Sequence, residues 1–454
     1  MGAAAGSVSG HCRTVGSEEP TTRQALGRIA RLGDLYDATT DKFCKISIFR
    51  EQLPPDFPAV SKTDNPHSNC KLNSVSSFEE KFRDLNIDGE LKLSVLAGMC
   101  ELGGSAEYLN QEKNSYKSLE HKLIYCIKTV TEHLEIRDER VKPYISEDQM
   151  GNATHVVIEI EWGANCVITY RDENRENKNK NEIQVQGRLS LAFKNVWSYV
   201  SWLQQKAGSL VAYFRKQPEG EPQAKGQAEP DEKNQRDRKK KEEKSSVENT
   251  ENTGKPLNLG GKIGLTHEKT DNREGISVEI VGDVLPDEFP QTLEDAQETM
   301  KKLPELVKKS NGGKGKPVAY VMLPLSAIAS RKLSQRLKTF TSVDDARMKK
   351  IVRLFDHMTA LTQKVYDQVE ELRNPKDHVT SRELEEACRL ANDIKDHQAS
   401  VQHEFKQLLM SIRTGTEDVG RLDAFCDERE ATATDKFHEC KKCYKDIQAR
   451  IAEH

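Results

Sequence analysis

The sequence predicts an α+β protein, in which a sheet-forming region is followed by an antiparallel helical bundle. The first two-thirds of the 454-residue chain contain strand-like runs, and the strongest is HVVIEIEW, then Gly163, then ANCVITY. From residue 343 onward the apolar residues recur at helical spacing in three long stripes with short breaks between them. Three amphipathic helices joined by short connections predict a bundle.

Two segments of the sheet-forming region alternate apolar and polar residues. The apolar members of the first segment are Leu91, Leu93, Val95, Ala97 and Met99. Those of the second segment are Ile183, Val185, Leu189, Leu191 and Phe193. Alternation gives a strand one apolar face. That pattern suits a hairpin held against a soluble core and equally a hairpin in a membrane-spanning barrel, and the residues alone leave both uses open.

Local signals predict several further elements. Ser77 caps a short helix that ends near Leu85, and Thr292 caps another helix. Thr380 forms a capping box with Glu383 at the start of the second bundle helix. A run of prolines predicts a loop, namely Pro54, Pro55, Pro58 and Pro66.

Two stretches are predicted to be disordered. Residues 1–24 are small and polar, and residues 216–256 consist almost entirely of Glu, Lys, Gln, Pro and Asn. Such compositions bury too little apolar surface to offset the entropy of ordering the chain.

Composition and charge exclude several classes of function. A net charge of −4 gives no reason to expect a nucleic-acid partner. No apolar run reaches the roughly 18 residues of a membrane helix, and the N-terminus lacks the apolar middle of a signal peptide. We therefore expect a chain that is cytoplasmic, or released without a signal peptide, and that meets a membrane only by refolding.

Catalysis and cofactor binding are also not expected. The chain contains no nucleotide-binding glycine motif and no recognisable nucleophile or zinc-protease motif. Cys440 and Cys443 lie near His438, but no second ligand pair is evident, and Cys440 continues an apolar stripe. We interpret these thiols as packing residues, and we expect no enzyme activity, metal or cofactor.

Five stretches of the chain resemble the stonustoxin-type family, which is named for fish venom cytolysins. They are ALGRIARLGDLYDATTDKF, LKLSVLAGMCELGGSAEYLN, HVVIEIEWGANCVITY, EIQVQGRLSLAF, and GDVLPDEFPQT with VAYVMLPL. They follow one another in the family's order and cover about residues 25 to 330. The N-terminal domain of that family is a divergent member of the membrane-attack-complex/perforin and cholesterol-dependent cytolysin (MACPF/CDC) superfamily.

The resemblance implies a bent, twisted antiparallel sheet with two flanking helical clusters, within residues 25–335. The clusters would lie near residues 94–117 and 182–262, and both alternating segments would be stored there as helices. Glycines would serve at the sheet bend and at hinges, namely Gly163, Gly103, Gly104, Gly260 and Gly261. Residues 340–454 would form a bundle similar to a focal-adhesion-targeting domain.

Two functions follow from this resemblance. In lytic relatives, subunits assemble into rings on membranes and both clusters unfurl into amphipathic hairpins, so the partners would be membrane lipid and further copies of the chain. The charged insert 216–256 and the missing C-terminal toxin domains instead favour a non-lytic intracellular protein that uses the bundle to dock a protein partner.

Overall fold

The computed structural model describes most of the chain apart from its N-terminus and a long central segment. The described residues are 19–74, 76–111, 113, 115–116, 118–151, 153–172, 194, 198, 255–256, 269–271, 276–286, 290, 292–330, 337–338, 340–373 and 379–453. Within them the fold class predicted above is confirmed, because an antiparallel sheet is followed by three long helices.

Eleven strands lie within the described residues, and nine of them form one antiparallel sheet. In chain order they are β1 Thr21–Gln24, β2 Asp34–Asp37, β3 Lys42–Ser47, β4 Val60–Asn73, β5 Glu101–Leu102, β6 Leu119–Leu134, β7 His155–Asp172, β8 Lys255–Pro256, β9 Lys269–Asp271, β10 Ile276–Gly282 and β11 Lys316–Pro324. The two remaining strands, β5 and β8, pair only with each other.

The long strand β7 is the centre of the sheet. It pairs with β6 along one edge, and with β10 and β11 along successive parts of the other. This 18-residue strand is the HVVIEIEWGANCVITY run, whose prediction as a strand is confirmed. Its β-branched residues suit a strand that is covered on both faces.

Six α-helices are described. They are α1 Phe78–Asp84, α2 Leu91–Leu96, α3 Leu293–Lys309, α4 Asp345–Leu372, α5 Ser381–Arg413 and α6 Arg421–Ala452. The predicted caps are confirmed, since Ser77, Thr292 and Thr380 each accept a hydrogen bond from a backbone N–H three residues ahead. Such bonds satisfy N–H groups that the first helical turn leaves unpaired.

The loop predicted from the proline run is partly wrong. Pro66 lies inside β4, whose only partner among the described strands is β6. The register of that pair shifts between Asp64 and His67, so Pro66 falls in a bulge. Proline lacks an N–H to donate, and it is tolerated here because an edge strand and a bulge do not need that donor.

The two faces of the sheet are covered differently. Helix α3 covers one face with a row of buried residues, namely Ala296, Met300, Leu303 and Val307. The other face is covered by α1, α2 and the 3₁₀ helix Gly104–Asn110, which pack in turn against the bundle helices α4 and α5.

Candidate functional site

Four neighbouring strands of the sheet stand in the order β4, β6, β7, β10. At one end of this group Asn73 pairs with Lys122, and Asp172 pairs with both Leu119 and Ile276. The chain between β4 and β6, residues 74–118, and the chain between β7 and β10, residues 173–275, therefore both leave the sheet at that end. Each of these connections joins two antiparallel neighbours, as a hairpin does.

The first connection, residues 74–118, contains α1, α2, β5 and the 3₁₀ helix; we call it the first cluster. The first alternating segment lies here, with Leu91, Leu93 and Val95 in α2, and Ala97 and Met99 just after it, and all five are buried. The prediction that this segment is stored as a helix is confirmed for Leu91–Leu96, whereas Ala97 and Met99 lie beyond the end of the helix. This six-residue helix is enclosed on every side, so the consecutive residues Leu93, Ser94 and Val95 are all buried. The alternating pattern, which is typical of a strand, therefore does not indicate the local structure of this segment.

The second alternating segment, from Ile183 to Phe193, lies outside the described residues, as do Gly260 and Gly261. Two residues of its connection are described as strand β8, which pairs with β5 of the first cluster: Glu101 is opposite Pro256 and Leu102 is opposite Lys255. The last two residues of the stretch predicted to be disordered, residues 216–256, are thus a short strand, because their backbone pairs with β5 of the first cluster.

Buried charges line the sheet end beneath the first cluster. The Arg171 guanidinium binds two carboxylates, with Nε 2.9 Å from Glu120 Oε1 and Nη1 2.9 Å from Glu279 Oε2. Burial alone would raise the pKa of Glu120, but Lys122 and Arg171 hold that pKa at about 2. Burial raises the pKa of Glu279. This end of the sheet therefore carries fixed, paired charges on a face that the first cluster covers.

The first cluster meets these strands through polar groups as well as through apolar side chains. Thr169 Oγ1 donates to Gln111 Oε1 over 2.6 Å. Asn73 Nδ2 donates to Asp84, whose carboxylate also accepts from Tyr108 Oη at 3.0 Å. Polar contacts of this kind lose little when they open to water, because each group regains water as a partner.

The predicted hinge glycines occupy crowded places. Gly163 lies where β7 changes register with β6 and with β11, and a Cβ there would come 1.9 Å from Ile127 O. Gly103 N donates to Leu26 O over 3.0 Å. Gly104 has φ +58° and faces Asp283, whose Oδ1 would be 2.6 Å from an added Cβ. Position 163 therefore requires glycine because of the close backbone approach, and position 104 favours glycine because of its positive φ. Hinge motion at Gly163, Gly103 and Gly104 stays a prediction.

No sequence pattern indicates the role of two buried or half-buried side chains at this site, Arg413 and Asp283. Arg413 ends helix α5, and its fully buried side chain lies 3.1 Å from Asp41 Oδ2 and 3.0 Å from Glu90 Oε2. Asp283 follows β10 and accepts from the backbone N–H groups of Ser105 and Asn165. Their partners are distant in the chain, so no local pattern could have indicated them.

Cys440 lies in the bundle core and is 3.5 Å from Leu390 O, and burial raises the pKa of its thiol to about 11. This position agrees with the interpretation of Cys440 as a packing residue. Within the described ranges, no group of three or more His, Cys, Asp or Glu side chains is placed to hold a metal ion. None of the described helices combines the length and apolarity needed to cross a bilayer.

Comparison with known proteins agrees with this geometry. Residues 20–188 match the family model of the SNTX, MACPF/CDC-like domain. The chain is 24% identical to neoverrucotoxin subunit beta of Synanceia verrucosa and to stonustoxin subunit beta of Synanceia horrida, over 88% of its own length and 47% of theirs. It is 24% identical to cytolytic toxin-beta of Scorpaena plumieri over 76% of its length and 40% of that protein.

A stonustoxin structure matches the fold with a TM-score of 0.55 and 17% sequence identity, over 96% of this chain and 48% of that one. The expected resemblance to the stonustoxin-type family is therefore confirmed, and residues 20–188 are similar to its MACPF/CDC-like domain. The chain spans less than half the length of these relatives.

Proposed function

We propose that this chain is a non-enzymatic, pore-forming subunit that associates with further copies on a membrane and opens its two connections into amphipathic hairpins. The order of β4, β6, β7 and β10 supports this proposal most directly. Residues 74–118 join β4 to its neighbour β6, and residues 173–275 join β7 to its neighbour β10. The first connection could extend its pair as a hairpin without any change in strand order, and the second could do so once β9 leaves the outer edge of β10.

The residue pattern suits the first of these hairpins. In an extended conformation Leu91, Leu93 and Val95 would lie on one face, and Lys92 and Ser94 on the other. A barrel strand needs roughly 9–11 residues to cross the bilayer. The first cluster is long enough to supply two such strands and a turn.

Association is supported by the edge strand β4 and by the names of the relatives. Strand β4 presents 14 residues whose outer edge has no partner strand in the described part of the chain. Exposed edges of this kind can pair with another copy. Several of the matched relatives are named as alpha or beta subunits of toxins.

Release of a trapped dye from liposomes by the recombinant chain tests this proposal, together with electron microscopy of the same liposomes. We expect leakage and ring-shaped assemblies on at least one lipid composition. Absence of leakage across anionic, neutral and sterol-containing liposomes, at neutral and acidic pH, would exclude lysis by this chain.

A matched pair of labelled variants tests the hairpin itself. Arg83→Cys and Asp88→Cys both place an environment-sensitive dye on an exposed position of the first cluster. Arg83 has the same parity as Leu91, and Asp88 has the opposite parity. We expect membrane quenchers to reach the dye at position 83 and not at 88, relative to the unsubstituted chain treated with the same dye. Equal quenching at both would contradict an alternating hairpin.

The second candidate is a non-lytic intracellular protein that docks a protein partner through its bundle. One observation favours it: the first cluster and the bundle share a single apolar core, which resists opening. This function predicts a stable monomer or dimer on lipid-free sizing and capture of a specific partner by the full chain. Loss of that capture on substitution of exposed bundle residues such as Arg389 would support docking, and unchanged capture would argue against it.

A further inference from the structure

The bundle contacts the first cluster along its whole length. At the start of the cluster, the Phe78 N–H donates to Asp356 Oδ1 of α4 over 2.6 Å. In the middle, Gln402 Nε2 of α5 donates to Leu96 O over 2.9 Å. Near the end, the Lys364 ammonium lies 4.7 Å from the centre of the Tyr116 ring. The bundle therefore holds the first cluster at its start, its middle and its end.

Apolar packing joins the same two parts. One continuous core contains buried residues of α1, α2 and the 3₁₀ helix together with buried residues of α4 and α5, such as Phe355 and Phe405. The nine-stranded sheet contributes Ile124, Val167 and Val281 to this core. Because burial of apolar area is the main favourable term in folding, this core attaches the first cluster to the bundle as well as to the sheet.

Arg413 lies at the centre of this contact. Its Nη1 lies 3.1 Å from Asp41 Oδ2 and donates to Ser94 Oγ over 2.7 Å, while its Nη2 donates to Glu90 Oε2 over 3.0 Å. Glu90 also accepts from the backbone N–H of Val343, which precedes α4. One side chain thus joins the bundle, the first cluster and the segment that precedes β3.

The charges of this centre are balanced and buried. Arg413 and Arg23 face Asp41 and Glu90, and Arg23 Nε lies 3.5 Å from Asp41 Oδ1. A buried ion cluster adds little net stability, because its charges lose hydration, but removal of one member leaves uncompensated charge and is strongly destabilising. Such a centre fixes one arrangement of the three segments, and it regains hydration when the segments separate.

We propose that the bundle is a clasp that controls release of the first cluster, and that Arg413 is the residue that keeps the clasp closed. The first cluster leaves the sheet only when the C-terminal end of α5 lifts away from Glu90 and Ser94. The consequence for membranes rests on the proposed function, but the clasp itself is a property of the protein free of lipid. A lipid-free experiment therefore tests the clasp separately from pore formation.

Hydrogen exchange followed by mass spectrometry, on the full chain without lipid, measures the clasp. In Arg413→Met we expect amide exchange across residues 78–110 to become at least ten-fold faster, with protection of β6 and β7 unchanged. The double variant Arg413→Met, Glu90→Gln keeps Asp41 beside Arg23, leaves no uncompensated charge in the centre and should restore most of the protection. Exchange of 78–110 at the unsubstituted rate in Arg413→Met would overturn the proposal.

Ile394→Ala is the matched control. Ile394 is buried in α5, but it belongs to a separate core at the far end of the bundle. This variant should loosen that end and leave residues 78–110 protected; equal loosening of 78–110 would show that bundle stability alone, and not the Arg413 contact, sets the exchange. If Arg413→Met does not fold, Gln402→Ala replaces it, and loss of protection confined to 78–110 supports the clasp, whereas unchanged protection overturns it.

Discussion

Ser105 and Asp283 are joined by a hydrogen bond from the Ser105 N–H to Asp283 Oδ1 over 2.9 Å. The other oxygen of the same carboxylate accepts from the Asn165 N–H over 2.7 Å. One side chain after β10 therefore ties the 3₁₀ helix of the first cluster to the central strand β7. In contrast to the Arg413 centre, this tie attaches the cluster directly to the sheet.

Replacement of Asp283 tests the strength of that tie. In Asp283→Ala two backbone N–H groups lose their acceptor, and we expect the free energy of unfolding to fall by about 3 kcal/mol. Asp283→Asn keeps one acceptor oxygen and should cost less. Urea unfolding measures both variants. Equal stability of Asp283→Ala and the unsubstituted chain would show that water replaces the carboxylate without loss.

Substitution of Gly163 tests how closely β6 and β7 approach each other at the register shift. An added Cβ would lie 1.9 Å from Ile127 O, so the backbones of β6 and β7 must separate. We expect Gly163→Ala to lower the free energy of unfolding by about 3 kcal/mol. Gly151→Ala is the control, because no heavy atom lies within 4 Å of its Cβ position. Similar unfolding curves for the two variants would rule out the close approach.

His155 predicts a dependence of stability on pH. Burial, together with the nearby Arg23 charge, lowers the pKa of this side chain to about 4. The unfolded chain binds a proton near pH 6.5, where the folded chain does not. The contribution of His155 to the free energy of unfolding is therefore complete above about pH 6.5. It decreases by up to about 3 kcal/mol as the pH drops toward 4.

Urea unfolding at pH 7 and pH 4.5 measures this effect, with His155→Gln as the control. The difference in unfolding free energy between the two pH values should be smaller in His155→Gln than in the unsubstituted chain. A pH dependence that is identical in both proteins would mean that other groups, such as the carboxylates, account for all of it.

The cap of α5 predicts a local effect in the bundle. Thr380 Oγ1 accepts from the Glu383 N–H, and the Glu383 carboxylate accepts in turn from the Thr380 N–H over 2.9 Å. Thr380→Ala should destabilise the bundle by about 1 kcal/mol. Ser381→Ala, one residue into the helix, should have a smaller effect. Thermal unfolding followed by circular dichroism compares them, and a larger loss in Ser381→Ala would contradict the cap.

The sequence predicted those elements whose patterns are local. The stretch from His155 to Asp172 is rich in β-branched residues and forms one strand, and the stripes from residue 343 onward form α4, α5 and α6. The segment from Leu91 to Met99 is a different case, because its alternation indicates a strand although Leu91–Leu96 is helical. Tertiary burial on all sides overrides the local pattern there.

The contacts that hold the first cluster could not be read from the sequence. Arg413 is a single basic residue at a helix end, where its charge favours the helix dipole whether or not it is buried. Its burial depends on Asp41 and Glu90, which are more than 300 residues away. Pro66 shows the same limit, since only the pairing of β4 reveals that this position needs no donor.

The order of β4, β6, β7 and β10 also sets a length scale. Neighbouring strands lie about 4.8 Å apart, so four adjacent strands occupy about 19 Å across the sheet. If every copy in a closed wall contributed these four strands, each added copy would lengthen the circumference by about that distance, and strand tilt would lengthen it further. The number of subunits in a ring on a liposome could therefore be calculated from the diameter of that ring.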